Sequence, residues 1–134
     1  MLITELFEAI KLRGFSSDNR AITFIEEFEK MSTPNPLNDR ERILHDTGVT
    51  LVVNSFKNNS VHLSDIRSIV KGNGSKCLQE ICMLADKHRV TIDLFAKGYG
   101  DTPTSVLKSW YEKFGFEQHE TYSDGYEMIR KPFD

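Results

Sequence analysis

Residues 69–96 have the sequence IVKGNGSKCLQEICMLADKHRVTIDLFA, and this stretch contains the clearest structural pattern in the chain. A β-branched segment leads into a glycine-rich turn at residues 71–75, and apolar residues at helical spacing follow it. The helical stripe consists of Leu78, Ile81, Cys82 and Ala85, and the alternating residues after it are Val90, Ile92, Leu94 and Ala96. The stretch therefore predicts a strand, a turn, a helix that ends near His88, and a second strand at Val90–Ala96.

The turn Gly72-Asn73-Gly74 is a candidate phosphate-binding loop. Glycine lets the backbone come close to an anion, and the unpaired N–H groups and positive dipole end of the following helix attract it. The same tripeptide also forms wherever a tight connection needs positive φ angles, so the turn alone leaves both interpretations open. Two familiar phosphate loops are excluded. The glycine spacing of a P-loop is absent, and Cys77 replaces the third glycine of the dinucleotide fingerprint.

The preceding segment predicts a β-hairpin with an irregular second strand. Residues 49–56 are rich in β-branched side chains, residues 57–60 have turn-forming composition, and residues 61–69 resume a strand pattern. In this second strand the apolar residues have odd numbers at Val61 and Leu63 but an even number at Ile66. A regular pleated strand cannot place all three side chains on one face. We therefore predict a β-bulge near Ser64 or Asp65.

The chain before the hairpin, residues 1–47, is predicted to be a helical N-terminal segment. A first amphipathic helix covers Ile3–Ile10 and ends at Gly14, and a serine at residue 16 or 17 caps a second helix. The apolar face of the second helix consists of Phe24, Ile25, Phe28 and Met31. Two prolines in Ser32–Asn38 indicate a loop, and Asp39–His45 is predicted to form one or two further helical turns.

The chain after residue 96 predicts a loop, a short helix and a closing β-structure. Lys97–Thr104 contains two glycines and a proline and is predicted to be a loop. Ser105–Phe114 is predicted to be a helix that ends at Gly115. Phe116–Phe133 should form one or two strands, most clearly at Tyr126–Arg130.

Composition limits the class of protein. The chain has 134 residues, 17 lysines and arginines against 20 acidic residues, a net charge of −3, and 39% hydrophobic residues. These values predict a single domain spanning residues 1–134, and they argue against nucleic acid as the main partner. We expect a cytoplasmic protein that uses no membrane, because no signal peptide or long apolar run is visible.

The cysteines and histidines indicate neither a disulfide nor a metal site. Cys77 and Cys82 are five residues apart on one predicted helix, too far apart for a disulfide, so we expect two reduced thiols. The four histidines are scattered, and no Cys/His pair has the spacing of zinc ligands. We therefore expect no metal.

Residues 69–96, followed by Leu107–Phe116, resemble the GNAT superfamily of N-acetyltransferases, in the small form carried by bacteria and phages. In that family a Gln/Arg-x-x-Gly-x-Gly/Ala turn holds the pyrophosphate of coenzyme A. This chain matches the turn at Gly72 and Gly74, but it has Ile69 where the family usually has Gln or Arg. The resemblance implies that the coenzyme A contacts come from Lys71, Gly72, Asn73, Gly74 and Ser75. Lys76 either meets the 3′-phosphate or belongs to a solvated helix face.

The second feature of the resemblance is the Tyr-x-x-x-Gly-Phe ending of the short helix, from Tyr111 to Phe116. It implies that the Tyr111 hydroxyl faces the coenzyme A sulfur and gives a proton to the departing thiolate. Thr104 takes the place of a family asparagine, and it is expected to hydrogen-bond the pantetheine arm. The family also has a bulged fourth strand along which pantetheine lies, which places Ile66 among the binding residues. Trp110 either lines an acceptor cleft or is buried against the sheet.

The resemblance covers roughly residues 61–131 and implies an α+β fold. This is the acyl-CoA N-acyltransferase fold, a three-layer αβα arrangement with a mixed, mostly antiparallel central sheet, here with a helical N-terminal third. The first sixty residues match less well, so we divide the domain into a helical segment at residues 1–47 and a coenzyme A-binding core at residues 48–134. Dimers are common in the family, which leaves a homodimer open.

The implied activity is direct transfer of an acetyl group from acetyl-CoA, a co-substrate, to a primary amine. An amine attacks only when it is neutral, and a lysine-like amine with a pKa of about 10.4 is almost fully protonated at neutral pH. The site must therefore accept a proton, and the candidates are Asp65 and His62 on the fourth strand. Each also fits a plain solvated or capping role. The alternative function is a non-catalytic module that binds coenzyme A or a protein. The acceptor stays open among small amines, peptides, protein lysines and nucleotides.

Overall fold

The computed structural model describes residues 18–67, 72–98 and 100–133 of the chain. In these residues it contains three α-helices and seven β-strands. In chain order they are α1 (Arg20–Lys30), β1 (Ser32–Asn35), β2 (Asn38–Leu44), β3 (Thr50–Lys57), β4 (Ser60–Arg67), α2 (Asn73–His88), β5 (Thr91–Ala96), α3 (Thr104–Glu112), β6 (Glu117–Tyr122) and β7 (Gly125–Arg130). The predicted first helix lies outside the described residues, as does the serine predicted to cap the second helix.

All seven strands form one mixed sheet with the order β1-β2-β3-β4-β5-β7-β6. Every neighbouring pair is antiparallel except β4 and β5, which are parallel and joined by α2. A parallel pair requires a crossover connection of this kind. The mixed, mostly antiparallel sheet that the resemblance implied is therefore confirmed.

The core lies between this sheet and the helices. Ala21, Phe24 and Phe28 are buried along one face of α1, which packs against α2, β3 and β4. The buried stripe of α2 includes Leu78 and Ile81, which are three residues apart and so share one face of the helix. The amphipathic character predicted for both helices is thus confirmed, because their apolar sides pack into the core.

The prediction of a helical N-terminal third was wrong. After α1 the chain forms an antiparallel hairpin, with β1 in the predicted loop and β2 in the predicted helical turns. Pro34 is tolerated because β1 is an edge strand and needs hydrogen bonds on one side only. In β2 the charged Glu41 is buried, at a position where a strand normally has an apolar residue. The alternation of a strand was therefore invisible in the sequence.

The predicted bulge in β4 is confirmed. Val52 pairs with Ser64 and Thr50 pairs with Arg67, so three steps of β4 lie opposite two steps of β3. Asp65, within this insertion, has a φ of 54°. The extra residue shifts the phase of the strand, which accounts for the switch from odd to even apolar positions.

Both cysteines are free thiols, as predicted, and both are buried in α2. Burial, with a smaller effect of Glu80, raises the pKa of Cys77 to about 12, and burial raises the pKa of Cys82 to about 11. Since the thiolate is the reactive form, these two side chains act as core residues. No helix in the described residues has the length and apolarity needed to cross a membrane.

Candidate active site

A cavity of about 760 Å³ opens where β4 and β5 separate. The parallel pairing ends at His62 and Asp93; beyond this point β4 continues beside β3, and β5 continues beside β7. The gap between the diverging strands is closed on one side by α3 and reaches the first turn of α2. Its walls are formed by His62, Leu63, Ser64, Asp65, Ile66, Arg67, Gly74, Phe95, Lys97, Gly98, Thr102, Val106, Leu107, Trp110 and Tyr111.

The bulge of β4 forms one wall of this cavity. Asp65 is exposed, and Ile66 is half-buried against the core. Both residues line the cavity. Because the bulge interrupts the ladder, backbone groups of β4 near Asp65 are turned away from regular pairing with β3.

The glycine turn borders the cavity through Gly74. Gly72 is the N-cap of α2 with a φ of 91°, and a Cβ built on it would have no heavy atom within 4 Å. Gly74, in the first turn of α2, lines the cavity. The start of a 16-residue helix therefore faces space that an anion can enter. Lys71 lies outside the described residues.

Two of the predicted binding side chains hold the turn in place. The amide Nδ2 of Asn73 donates a hydrogen bond of 2.9 Å to the carbonyl oxygen of Thr47. The indole Nε1 of Trp110 donates to the hydroxyl of Ser75 at 3.0 Å. Asn73 thus ties the start of α2 to the loop before β3, and Ser75 ties it to α3. Neither side chain is among those that line the cavity.

Tyr111 is buried on α3 and reaches the cavity wall. Its ring centroid lies 4.9 Å from that of Trp110 and 5.5 Å from that of Phe116. Gly115 has a φ of 95°, and the reversal it allows brings the N–H of Phe116 within 3.4 Å of the Tyr111 carbonyl oxygen. The spacing from Tyr111 to Phe116 therefore has a structural meaning, because it places one aromatic ring against another at the end of the helix.

Thr104 shapes the loop between β5 and α3. Its hydroxyl accepts a hydrogen bond of 2.9 Å from the backbone N–H of Gly98. Gly98 is in turn so close to the loop that a Cβ would lie 2.3 Å from the carbonyl oxygen of Thr102. Gly98 and Thr102 line the cavity, whereas Thr104 does not. The structure thus gives Thr104 a role in holding the wall.

Trp110 is packed between helices and also reaches the cavity. Its ring is half-buried beside Tyr111 and Phe114, and it also lines the cavity. The hydrogen bond to Ser75 fixes the indole between α2 and α3.

Three residues of the site were not found from the sequence. Asp93 forms a hydrogen bond of 3.0 Å with His62, and Lys97 and Arg67 bring positive charge to the cavity wall. Arg67 pairs with Glu41, a carboxylate that is 3% exposed and also accepts a 3.0 Å hydrogen bond from Asn35. His62 and Asp93, like Arg67 and Glu41, are far apart along the chain. Only knowledge of which strands lie side by side could have indicated these pairs.

The donor set fits an elongated anion with an apolar arm. Arg67 and Lys97 line the cavity together with the carboxylate of Asp65, and the N–H groups at the start of α2 favour an anion there. Ile66, Val106 and Leu107 add apolar side chains to the cavity wall. Lys97 also lies 3.5 Å from Asp124 in an exposed ion pair. Among the described residues no group of side chains has the arrangement of a metal site.

No protein-family model matches the chain, and no curated protein matches it. Solved structures do. The crystal structure of Ard1 from Thermoplasma volcanium is 14% identical with a TM-score of 0.54, over 92% of this chain and 85% of that one. The anti-CRISPR protein AcrVA5 is 21% identical with a TM-score of 0.50, over 60% of this chain and 87% of that one. An acetyltransferase of the GNAT family from Staphylococcus aureus MU50 is 14% identical with a TM-score of 0.45, over 96% of this chain and 90% of that one.

The chain therefore shares its fold with Ard1 and, over 60% of its length, with AcrVA5, and its bulged fourth strand and mixed sheet are those that the resemblance implied. The bulged β4, its divergence from β5 and the crossover helix α2 are the features of this chain that carry the assignment. At identities of 14% to 21% the similarity shows the fold and nothing more.

Proposed function

We propose that this protein is an acetyl-CoA-dependent N-acetyltransferase that transfers the acetyl group to a primary amine by direct attack. The observation that carries the proposal is the cavity that joins the start of α2, the bulge of β4 and Tyr111. An anion site, an extended groove and a proton donor are the three features that such a transfer requires within one space.

The residues that would hold acetyl-CoA follow from the cavity wall. The backbone at Gly72 and Gly74 would receive the pyrophosphate at the start of α2, since glycine leaves this approach open. Arg67 and Lys97 would add positive charge, which compensates for Ile69 where the family usually has Gln or Arg. The backbone around Ile66 would pair with the pantetheine arm.

The chemistry divides between the co-substrate and the chain. Acetyl-CoA supplies an activated acetyl thioester. The chain must remove a proton from the attacking amine and stabilise the departing sulfur. Asp65 and His62 are the candidates for the first task, and both line the cavity. Tyr111 is the candidate for the second, because its side chain reaches the same wall.

Calorimetric titration with acetyl-CoA tests the proposal first. We expect saturable binding, and we expect free thiol to be released when an amine acceptor is added. Absence of binding at millimolar acetyl-CoA would refute the proposal. Binding without transfer to any acceptor would favour the non-catalytic alternative, a module that binds coenzyme A or a protein.

The acceptor is best identified by a screen. Small amines, peptides, protein lysines and nucleotides would each be incubated with the protein and acetyl-CoA labelled in the acetyl group, and products would be identified by mass spectrometry. The protein with Gly74 changed to valine serves as the matched control, because it should bind the co-substrate poorly. A genuine acceptor gains label with the unaltered protein only.

A further inference from the structure

We propose that the proton acceptor of the reaction is His62, held in place by Asp93, so that the two residues act as an imidazole–carboxylate pair at the point where β4 and β5 separate. The inference rests on the proposed function and makes it more specific. It assigns a catalytic role to His62, which would touch the acceptor amine, and a positioning role to Asp93.

The geometry of the pair follows from the sheet. His62 and Asp93 are opposite each other in the last register pair of the parallel strands, so their side chains leave the same face of the sheet at the fork. His62 Nδ1 lies 3.0 Å from Asp93 Oδ1. The His62 side chain is 39% exposed and lines the cavity, whereas that of Asp93 is 19% exposed and does not line it. The imidazole therefore stands between the carboxylate and the cavity.

The hydrogen bond selects one tautomer of the imidazole. A carboxylate only accepts hydrogen bonds, so Nδ1 must donate its proton to Asp93. In the neutral ring Nε2 then carries the lone pair. In residues 18–67, 72–98 and 100–133 no hydrogen bond engages Nε2. A neutral His62 is therefore prepared to take a proton, and Asp93 stabilises the positive charge that results.

The neighbouring strands bring no second base against His62 within the described residues. On β3 its cross-strand partner is Asn54, which does not titrate, and on β5 its partner is Asp93. α1 packs against the opposite face of β4, where Val61 and Leu63 are buried. The other charged side chains that line the cavity are Asp65, Arg67 and Lys97.

Chemistry favours His62 over Asp65. Imidazole is the side chain whose ordinary titration range lies closest to neutral pH, whereas an exposed carboxylate is a weak base there. Asp65 is exposed at the bulge, and no described residue forms a hydrogen bond that orients its carboxylate. His62 is oriented by a partner, which is the arrangement that an efficient general base needs.

The proton and electron balance of the step is simple. The acceptor nitrogen forms a bond to the acetyl carbon, and the bond from that carbon to sulfur breaks. The proton of the nitrogen passes to His62 Nε2. The sulfur leaves with the electron pair as a thiolate, which takes up a proton from Tyr111 or from solvent. Before the next turnover His62 returns its proton to solvent, and where Tyr111 was the donor it takes a proton back from solvent.

Steady-state kinetics with three variants test the assignment. We expect His62→Gln to lower kcat/KM by about 100-fold or more, and to remove the decline of kcat/KM on the acidic side of its pH profile. Asp93→Asn should lower kcat/KM by a smaller factor and should also change the acidic side of its pH profile. Asp65→Asn tests the competing candidate, and we expect it to lower kcat/KM less than His62→Gln does. His119→Gln, at an exposed histidine on β6, is the matched control and should change neither kcat/KM nor its pH profile.

A second readout is independent of turnover. Nitrogen-15 NMR of the histidine side chains should show His62 protonated at Nδ1 when neutral, and Asp93→Asn should change this tautomer balance. Calorimetry should give the same Kd for acetyl-CoA in every variant, because none of these residues is assigned to the co-substrate.

The outcomes separate the two proposals. Transfer at an undiminished rate by His62→Gln, or a tautomer protonated at Nε2, would overturn the assignment while leaving the acetyltransferase proposal intact. A loss of activity in Asp65→Asn alone would move the role to that residue. If the unaltered protein neither binds acetyl-CoA nor transfers the acetyl group, both proposals are overturned. The missing acetyl-CoA binding would then show that the proposed function itself had failed.

Discussion

The guanidinium of Arg130, near the end of β7, binds the carboxylate of Asp86 on α2 through two parallel hydrogen bonds of 2.9 and 3.0 Å. The Arg130 side chain is only 3% exposed, and its Nε also donates to the carbonyl oxygen of Phe114 at 2.7 Å. Asp86 accepts a further 2.9 Å hydrogen bond from the backbone N–H of Phe133. This pair therefore fastens the closing strand and the end of α3 to the crossover helix.

Replacing Asp86 by Asn should destabilise the protein strongly. The buried Arg130 would keep its charge and lose its counterion, a change that typically costs about 3 kcal/mol or more. Chemical denaturation at neutral pH measures the free energy of unfolding. Glu112→Gln, which removes a surface pair with the partly buried Lys108 on α3, is the control and should cost less than about 0.5 kcal/mol. A cost for Asp86→Asn as small as that of the control would contradict the role of the pair.

The same pair should make stability depend on acid pH. Burial by itself raises the pKa of Asp86, but the hydrogen bonds from Arg130 and from the Phe133 N–H outweigh it and hold this pKa below its ordinary value. A carboxyl with a lowered folded-state pKa contributes stability above its unfolded pKa, and this contribution is lost as the pH falls through the folded pKa. The stability deficit of Asp86→Asn should therefore shrink as unfolding is measured from about pH 7 to about pH 2. A deficit that stays constant over that range would show that the charge of Asp86 is not responsible.

Glu80 should have the opposite pH dependence. Burial and a hydrogen bond with Asp46 raise its pKa, and its Oε2 is buried without a partner among the described residues. A raised folded-state pKa contributes stability below the unfolded pKa, and this is lost as the pH rises through the folded pKa. Glu80→Gln should thus increase the free energy of unfolding at neutral pH by about 1 kcal/mol, and by less near pH 4. Glu29→Gln, at an exposed position of α1, is the control. If Glu80→Gln increased the free energy of unfolding more near pH 4 than at neutral pH, the raised pKa of Glu80 would be contradicted.

Changing Gly74 to valine should weaken the binding of acetyl-CoA. The branched side chain would occupy space at the start of α2 where the backbone meets the cavity, and we expect Kd to rise by about tenfold or more. Gln79→Val, on the exposed side of the same helix, adds the same side chain away from the cavity. Calorimetry with both variants distinguishes crowding of the ligand from a general weakening of α2. Equal affinities for the two would remove the turn from the binding site.

Changing Tyr111 to phenylalanine should slow the release of free thiol without changing affinity. The ring packing against Trp110 and Phe116 would be kept, and only the hydroxyl would be lost. We expect kcat to fall by about tenfold or more, because a general acid typically contributes at least that much. Tyr122→Phe, at an exposed position of β6, is the matched control. A variant with the rate of the unaltered protein would exclude Tyr111 as the proton donor.

Much of the fold could be predicted because its signals are local. The stripe of α2, the alternation of β5 and the helix end at Gly115 each depend on residues within a few positions of one another. The bulge was predictable for the same reason, since it left a change of phase between Leu63 and Ile66 within one strand. The strands β1 and β2 were missed because proline and paired charges replaced the expected alternation.

The site was predictable only to a limited extent. Gly74, Asp65 and Tyr111 belong to motifs that can be seen in the sequence, and the structure places all three around one cavity. Asn73, Ser75 and Thr104 were predicted as binding residues, but their side chains are engaged within the protein. A motif indicates which residues recur together and does not indicate which of them turn their side chains towards a ligand.

The sequence alone determined that the chain contains a strand, a glycine turn and an amphipathic crossover helix, because periodicity and glycine placement are properties of neighbouring residues. Only the tertiary structure decided the long-range pairs. Asp93 meets His62 from 31 residues away, and Glu41 meets Arg67 from 26 residues away. These contacts depend on which strands lie side by side and in which register, and that choice is made by burial of the whole core.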